Sequence, residues 1–225
     1  MRDAEHPSNL RKKVRRKRGR PKKIQVDTVL ESAMQAYWFG DPKSVSINMI
    51  CKTMGISKPS LYREFKNEDD LMCAALDRYS EQIIPDLFKI LTQDSSLVDI
   101  LNQLIGYICD QPKFEHGCLF QKLYYSQHDL GPQTLARVQK LRAKAQESFE
   151  SCLKSHLSQD SQSDRLGVKL KAHYLAEQLM WAVNLRSLGM SGGQVRQLLT
   201  LALSSLLPSY IQDQSLWSHH GGKSS

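Results

Sequence analysis

The stretch Met54-Gly55-Ile56-Ser57-Lys58-Pro59-Ser60-Leu61-Tyr62-Arg63-Glu64-Phe65 holds the end of one short helix and the start of another. Gly55 stops the first, as glycine does where a helix closes in the left-handed conformation, and the Ser57 hydroxyl is placed to cap the second. Just upstream, Ser46 is placed to cap a helix carrying Ile47, Ile50 and Met54. Two short helices joined by a tight glycine-containing turn describe a helix-turn-helix. Ile50, Ile56, Leu61 and Phe65 have the spacing of core. Further back, Asp27 is the candidate N-cap of a first helix whose Val29, Leu30, Ala33, Met34, Ala36 and Tyr37 share one face, and Gly40-Asp41-Pro42 ends it.

The chain ahead of this unit is strongly basic. Of 225 residues, 31 are Lys or Arg and 23 are Asp or Glu, a formal charge of +8. Residues 1–70 carry +7 of it and residues 71–225 only +1, so the excess is local. Arg11, Lys12, Lys13, Arg15, Arg16, Lys17, Arg18, Arg20, Lys22 and Lys23 put ten positive charges into thirteen positions with no acid among them. Mutual repulsion is expected to keep residues 1–23 extended as a disordered arm. Within it, Arg18-Gly19-Arg20-Pro21 resembles the core of an AT-hook. Gly19 lets an extended backbone approach the floor of a narrow A·T-rich minor groove, where Arg18 and Arg20 meet enhanced negative potential. A membrane surface is the poorer partner, since Val14 alone interrupts the basic block with an apolar side chain.

The remaining composition, 40% hydrophobic and 24% charged, is that of a folded protein. No stretch approaches the roughly 18 consecutive apolar residues of a spanning helix, and the N-terminus has no apolar signal region. Membrane-spanning and secretory readings therefore fail, and a cytoplasmic, nucleoid-associated location is expected. Cys51, Cys73, Cys109, Cys118 and Cys152 are odd in number, widely spaced and without a Cys-x-x-Cys pair, so free thiols, no metal site and no cofactor are expected. The pair His219-His220 in the polar tail is a poor metal site on its own.

Residues 24–79 also resemble the DNA-binding domain of TetR-family transcriptional regulators, through several segments in register. Ala36-Tyr37-Trp38 is similar to the end of the family's first helix, and Ser46-Ile47-Asn48-Met49-Ile50-Cys51 stands where Thr-Val-Arg-Asp-Ile-Ala is usual. Met54 to Phe65 resembles the family's turn and recognition helix, and Asp69-Asp70-Leu71 the start of its connecting helix. Two departures stand out. Gly40 falls one position early, and Glu68 occupies the place of a usual Lys, removing a phosphate contact that Lys66 is placed to supply. The resemblance implies that Lys58, Pro59, Ser60, Tyr62 and Arg63 enter or flank the major groove, with Ser46 and Asn48 near the DNA backbone. The chemistry suits those roles: Lys and Arg donate to guanine, Ser and Tyr hydroxyls to phosphate, and Pro contacts a thymine methyl.

Beyond the head, amphipathic periodicity predicts helices over about 67–91, 95–110, 117–127, 132–157, 165–188 and 192–207, separated by Ser, Pro and Gly clusters. Pro85 is expected to kink or restart the first of these near Ile84. Gly117-Cys118-Leu119-Phe120, and later Leu130-Gly131-Pro132, resemble a segment of some TetR-family branches that walls the effector pocket. That resemblance makes Cys109, Cys118, Phe120, Tyr124, Phe149, Tyr174, Gln178 and Trp181 candidate ligand contacts, an apolar set with a few polar tips. Cys118 is also a candidate redox-responsive thiol, with His116 and Lys122 nearby. The last two helices carry broad apolar faces, and the surplus invites a partner. In the family such helices form the four-helix bundle of a homodimer, which implies a pseudo-palindromic operator with half-sites about 34–36 Å apart, or a multiple of that.

The expected fold is therefore all-α: an N-terminal three-helix helix-turn-helix DNA-binding domain and a C-terminal helical ligand-binding and dimerisation domain. The expected division is an arm at 1–23, the head at 24–70, the body at 71–208 and a flexible tail at 209–225. Expected partners are double-stranded DNA, a small-molecule effector and a second copy of the chain, with no membrane. The competing DNA reading is an architectural A·T-rich binder with little sequence selectivity. An enzyme built on Cys118 with His116, His128 or His173 lacks a third orienting residue, so none is expected.

Overall fold

Residues 25–157 and 167–204 are described by the computed structural model, and among them the chain forms nine α-helices and no strand. The basic arm with Arg18, Gly19 and Arg20, and the tail with its His pair, lie outside the described residues. In the head, α1 spans Val26–Phe39, α2 Ile47–Met54 and α3 Lys58–Glu64. The body comprises α4 Glu68–Leu91, α5 Leu97–Asp110, α6 Leu119–Tyr125, α7 Pro132–His156, α8 Val168–Ser187 and α9 Gly192–Ser204. Among the described residues no helix is long and apolar enough to cross a membrane.

Local chemistry sets the ends of α2 and α3. Ser46 Oγ accepts from the Met49 N–H at 3.3 Å, and Ser57 Oγ from the Ser60 N–H at 3.3 Å, each satisfying a donor that the helix itself leaves without a partner. Gly55 stands at φ 62°, where a side chain would be strained, and its N–H turns back to the Lys52 carbonyl. The expected Asp27 cap is corrected. Helix α1 starts two residues earlier than that cap implies, with Gln25 at its N-cap and no side-chain bond there. Asp27 instead lies in the first turn, its charge near the positive helix end, and accepts from Arg78 Nη2 at 2.8 Å.

The second correction concerns the restart expected at Pro85, since α4 runs unbroken through it. Pro85 is exposed, and one missing N–H is tolerated in a 24-residue helix packed along its length against α1 and α7.

The buried side chains form two clusters. One gathers α1–α3 with Leu71, Ala75, Leu76 and Tyr79 of α4, and extends into Leu119 and Leu123 of α6 and Val138 of α7. The other fills the body, with Ile100, Leu104 and Ile108 of α5 against Leu175, Leu179 and Val183 of α8 and Val195, Leu199 and Leu203 of α9.

A polar joint fastens the start of α4, next to the head, to the start of α7. Asp69, in the first turn of α4, accepts from the Gln133 N–H at 2.8 Å and the Thr134 N–H at 3.0 Å, so an acid from one helix caps the N-terminus of another. Thr134 Oγ1 returns a bond to the Asp69 carbonyl at 3.1 Å. The fit demands glycine at 131, because a Cβ there would lie 2.3 Å from the Asp69 carboxyl carbon. Burial pushes the Asp69 carboxyl up, but its hydrogen bonds to Thr134 and Gln133 outweigh this and hold it below the ordinary Asp range.

A lowered carboxyl pKa contributes stability that is present above the unfolded value, near 4, and lost as pH falls through the folded one. Asp69→Ala is therefore expected to cost about 1–2 kcal/mol at neutral pH, and the acid-dependent part of that difference should vanish as both proteins are titrated below about pH 4. Urea unfolding of both proteins across pH 2–8 checks this; curves that stay equally separated at every pH would rule out an ionised cap.

Candidate nucleic-acid interface and internal cavity

Helix α3 is held from below by Leu61 and Phe65, both buried, with Ile56 half-buried beside them. This leaves Lys58, Pro59, Tyr62 and Arg63 on the outer surface, with Tyr62 42% exposed despite its ring. Ser60 is half-buried and acts locally. Its Oγ accepts from Arg63 Nη2 at 3.1 Å and lies 2.9 Å from Ser57 Oγ, so the capping serine and Ser60 together orient the guanidinium. Ser46 and Asn48 are exposed at the start of α2, and Lys66 is exposed in the turn between α3 and α4. Exposed on these three segments are three cations, two hydroxyls and an amide, donor types that read phosphates and guanine edges, together with a proline whose ring can meet a thymine methyl.

A cavity of about 150 Å³ lies in the body, walled by α4, α5, α6, α7 and α8. Cys118, Phe120 and Phe149 line it. The other candidates do not, and each has a physical reason. Cys109 is buried in the body core under α9, where a Cβ on Gly192 would meet its carbonyl at 2.3 Å. Tyr124 stacks on Phe120 with centroids 6.2 Å apart and lies under the Arg142 guanidinium at 4.2 Å. On α8, the residues facing the cavity are Ala176, Leu179, Met180 and Val183, which share one helical stripe. Tyr174, Gln178 and Trp181 lie on the opposite face of α8, turned away; the Tyr174 hydroxyl reaches the Ala202 carbonyl on α9, and Trp181 emerges into solvent.

Sequence reading missed Tyr79 and Ser80 of α4, Tyr107 of α5 and Gln121 of α6 among the lining residues. The Gln121 amide donates to the Met180 carbonyl at 2.7 Å, and the Tyr107 hydroxyl donates to the Ile83 carbonyl at 3.2 Å while accepting from Lys113 Nζ at 3.0 Å.

The cavity wall is tied to the end of α1. Trp38 Nε1 donates to the Gly117 carbonyl at 2.8 Å, and the Trp38 ring meets Tyr79 edge to face at 4.9 Å. Lys122 Nζ donates to the Gly40 carbonyl at 2.9 Å and to the Trp38 carbonyl. Helix α1 has no basic residue in its last turn, so Lys122 of α6 supplies the cation that its negative end favours.

No family model matches the chain. Over 69 residues it is 36% identical to the HTH-type transcriptional repressor ComR of Escherichia coli strain K12, a match covering 31% of this chain and 33% of that protein. The chain thus spans about a third of that relative's length. Across most of its length the fold is that of solved regulators. Reduced NemR of Escherichia coli superposes with a TM-score of 0.66 at 17% identity, covering 78% of this chain and 94% of NemR. A cysteine mutant of the TetR-family regulator CifR, solved with 26-base-pair operator DNA, gives 0.66 at 19% identity over 82% and 98%. SCO4454, a TetR-family regulator from Streptomyces coelicolor, gives 0.67 at 18% over 82% and 95%. At these identities the likeness is one of fold.

The thiol of Cys118 is not activated by its setting. Burial pushes it up, and this outweighs the Tyr79 hydroxyl, the backbone N–H groups of Gln121 and Phe120, and the Lys122 charge, all of which favour thiolate. Iodoacetamide at pH 7 should therefore alkylate Cys118 at least about tenfold more slowly than free cysteine, with urea removing the protection. Peptide mass spectrometry over time checks this, and a native rate matching free cysteine would contradict it.

Proposed function

We propose that this chain, which has the TetR-family fold and a head homologous to that of a transcriptional repressor, is a homodimeric, ligand-responsive regulator that represses from a pseudo-palindromic operator. The observation that carries the reading is the outer face of α3. Lys58, Pro59, Tyr62 and Arg63 are exposed on a helix whose cap and buried side chains leave it little freedom, and a preorganised donor face suits a major groove. Residues 24–70 act as the reading head and 71–208 as the body. In the arm, Arg18, Gly19 and Arg20 add minor-groove contact.

Dimerisation is supported by apolar surface left uncovered on the last two helices. Leu170, Trp181 and the C-cap Leu188 fall within about 20° of one another around the α8 axis at 100° per residue, and Leu201 is a further exposed apolar side chain on α9. All four are 39–74% exposed, and an apolar strip of this kind on paired helices marks an interface between subunits. The cavity holds the effector. Its wall reaches the head through Tyr79 on Trp38 and Lys122 on the end of α1, so a ligand that fits better with the heads displaced lowers operator affinity.

Selection of random duplex DNA on the purified full chain at near-physiological salt tests this reading. A pseudo-palindrome with A·T-rich flanks is expected; enrichment of A·T content alone would replace the operator reading by an architectural one. On the selected duplex, Lys58→Ala and Tyr62→Phe are each expected to weaken binding by about 1–2 kcal/mol without loss of helix content or dimer. Unchanged affinity in both would remove α3 as the reading element. Deleting residues 1–23 should weaken binding and flatten its salt dependence while the half-site preference survives.

A further inference from the structure

The cavity's size, charge and hydrogen-bonding capacity together restrict what it takes. About 150 Å³ is the volume of an apolar void that holds a single benzene ring. None of the lining residues is Asp, Glu, Lys, Arg or His, so a charged ligand would lose its hydration without gaining a counter-ion. Most of the polar groups in the wall are already engaged: Tyr107 with Ile83 and Lys113, Ser80 with the Leu76 carbonyl at 2.7 Å, and the Gln121 amide with Met180.

Tyr79 is different. It is 2% exposed, it lines the cavity, and its hydroxyl has no hydrogen-bond partner. The Cys118 thiol, a weak acceptor, and the Leu119 backbone N–H, a donor, face it, so its own O–H has no strong acceptor. Burial pushes the phenol well above its ordinary range, so at neutral pH the group remains an O–H donor. A buried donor without an acceptor is costly, and a ligand oxygen placed there recovers that cost on binding.

We propose that the cavity takes a neutral, single-ring-sized and otherwise apolar molecule that presents one hydrogen-bond acceptor, a ketone-like oxygen, to the Tyr79 hydroxyl. The proposal rests on the reading of this cavity as the effector site and adds the chemical class of the ligand. Tyr79 becomes the specificity-determining residue. It also joins ligand to head, because the ring that carries the hydroxyl packs on Trp38 at the end of α1.

The test uses the full chain and three probes of nearly one shape: acetophenone, α-methylstyrene, in which a methylene replaces the carbonyl oxygen, and benzoate, which carries a charge. Calorimetric titration is expected to show acetophenone binding about tenfold tighter than α-methylstyrene, with no benzoate binding. Tyr79→Phe should erase the preference for acetophenone while the melting temperature holds or rises, since the variant loses a hydroxyl that has no partner. Tyr107→Phe, which removes an engaged hydroxyl, should keep the preference.

Equal binding of acetophenone and α-methylstyrene, tighter binding of benzoate, a preference that survives Tyr79→Phe, or no binding of any probe would each overturn the proposal. Operator affinity, measured on the selected duplex with each probe, separates this from the regulatory reading. Acetophenone bound with the stated preference but without effect on DNA binding would sink effector control and leave the ligand class standing. DNA release by α-methylstyrene or benzoate as readily as by acetophenone would do the reverse.

Discussion

Helix α4 belongs to two cores at once, and the arrangement of everything else follows from that. Its first half sets Leu71, Ala75, Leu76 and Tyr79 into the cluster of the head, and its last residue, Leu91, is buried in the cluster of the body. Apolar burial at both ends makes the helix a strut that neither half can abandon without exposing side chains to water. Its start is set by the Asn67 side chain, which accepts from the Asp70 N–H at 2.8 Å, and by three acids in its first turn. One of those acids, Asp69, reaches across to cap α7, so the same few residues fix where α4 begins and where the body attaches.

Most of the fold was legible because its signals are local. Caps at Ser46 and Ser57 and the stop at Gly55 need only their own neighbours, and the body helices are bounded by Pro, Gly and Ser clusters that act through backbone geometry alone. The failures come from tertiary context. Asp27 has a cap's chemistry, but Arg78 of α4 claims it, and the helix extends past it to Val26. Pro85 has a breaker's chemistry, but packing on α1 and α7 carries α4 through it. The Asp69 joint was invisible for the same reason, since its partners at 133 and 134 are 64 and 65 positions away.

The two candidate surfaces differ in how far sequence could reach them. Exposure on α3 follows from knowing which residues of one short helix point inward, and Leu61 and Phe65 decide that. A cavity between five helices depends on how each is rotated, and no single periodicity contains that information. On α8 the stripe of Tyr174, Gln178 and Trp181 and that of Ala176, Leu179, Met180 and Val183 lie half a turn apart, one toward the outside and the other on the cavity wall, and the helix is apolar enough on both sides that its pattern does not say which is which. Aromatic side chains drew the reading to the stripe that faces away from this cavity. Tyr79 was missed because a tyrosine in an apolar run looks like core; that its hydroxyl has no partner is a fact about the neighbours it lacks.

The glycine at 131 has a consequence for how such a sequence can change over time. Any side chain there would collide with the Asp69 carboxyl at 2.3–2.6 Å, and without that carboxyl the two N–H groups of Gln133 and Thr134 lose their acceptor. Relaxing the glycine therefore carries a penalty unless the acid is surrendered as well, and surrendering the acid removes the reason to keep the glycine. The two positions, 62 residues apart, are bound to drift together, and in an alignment of descendants they should behave as one inherited character.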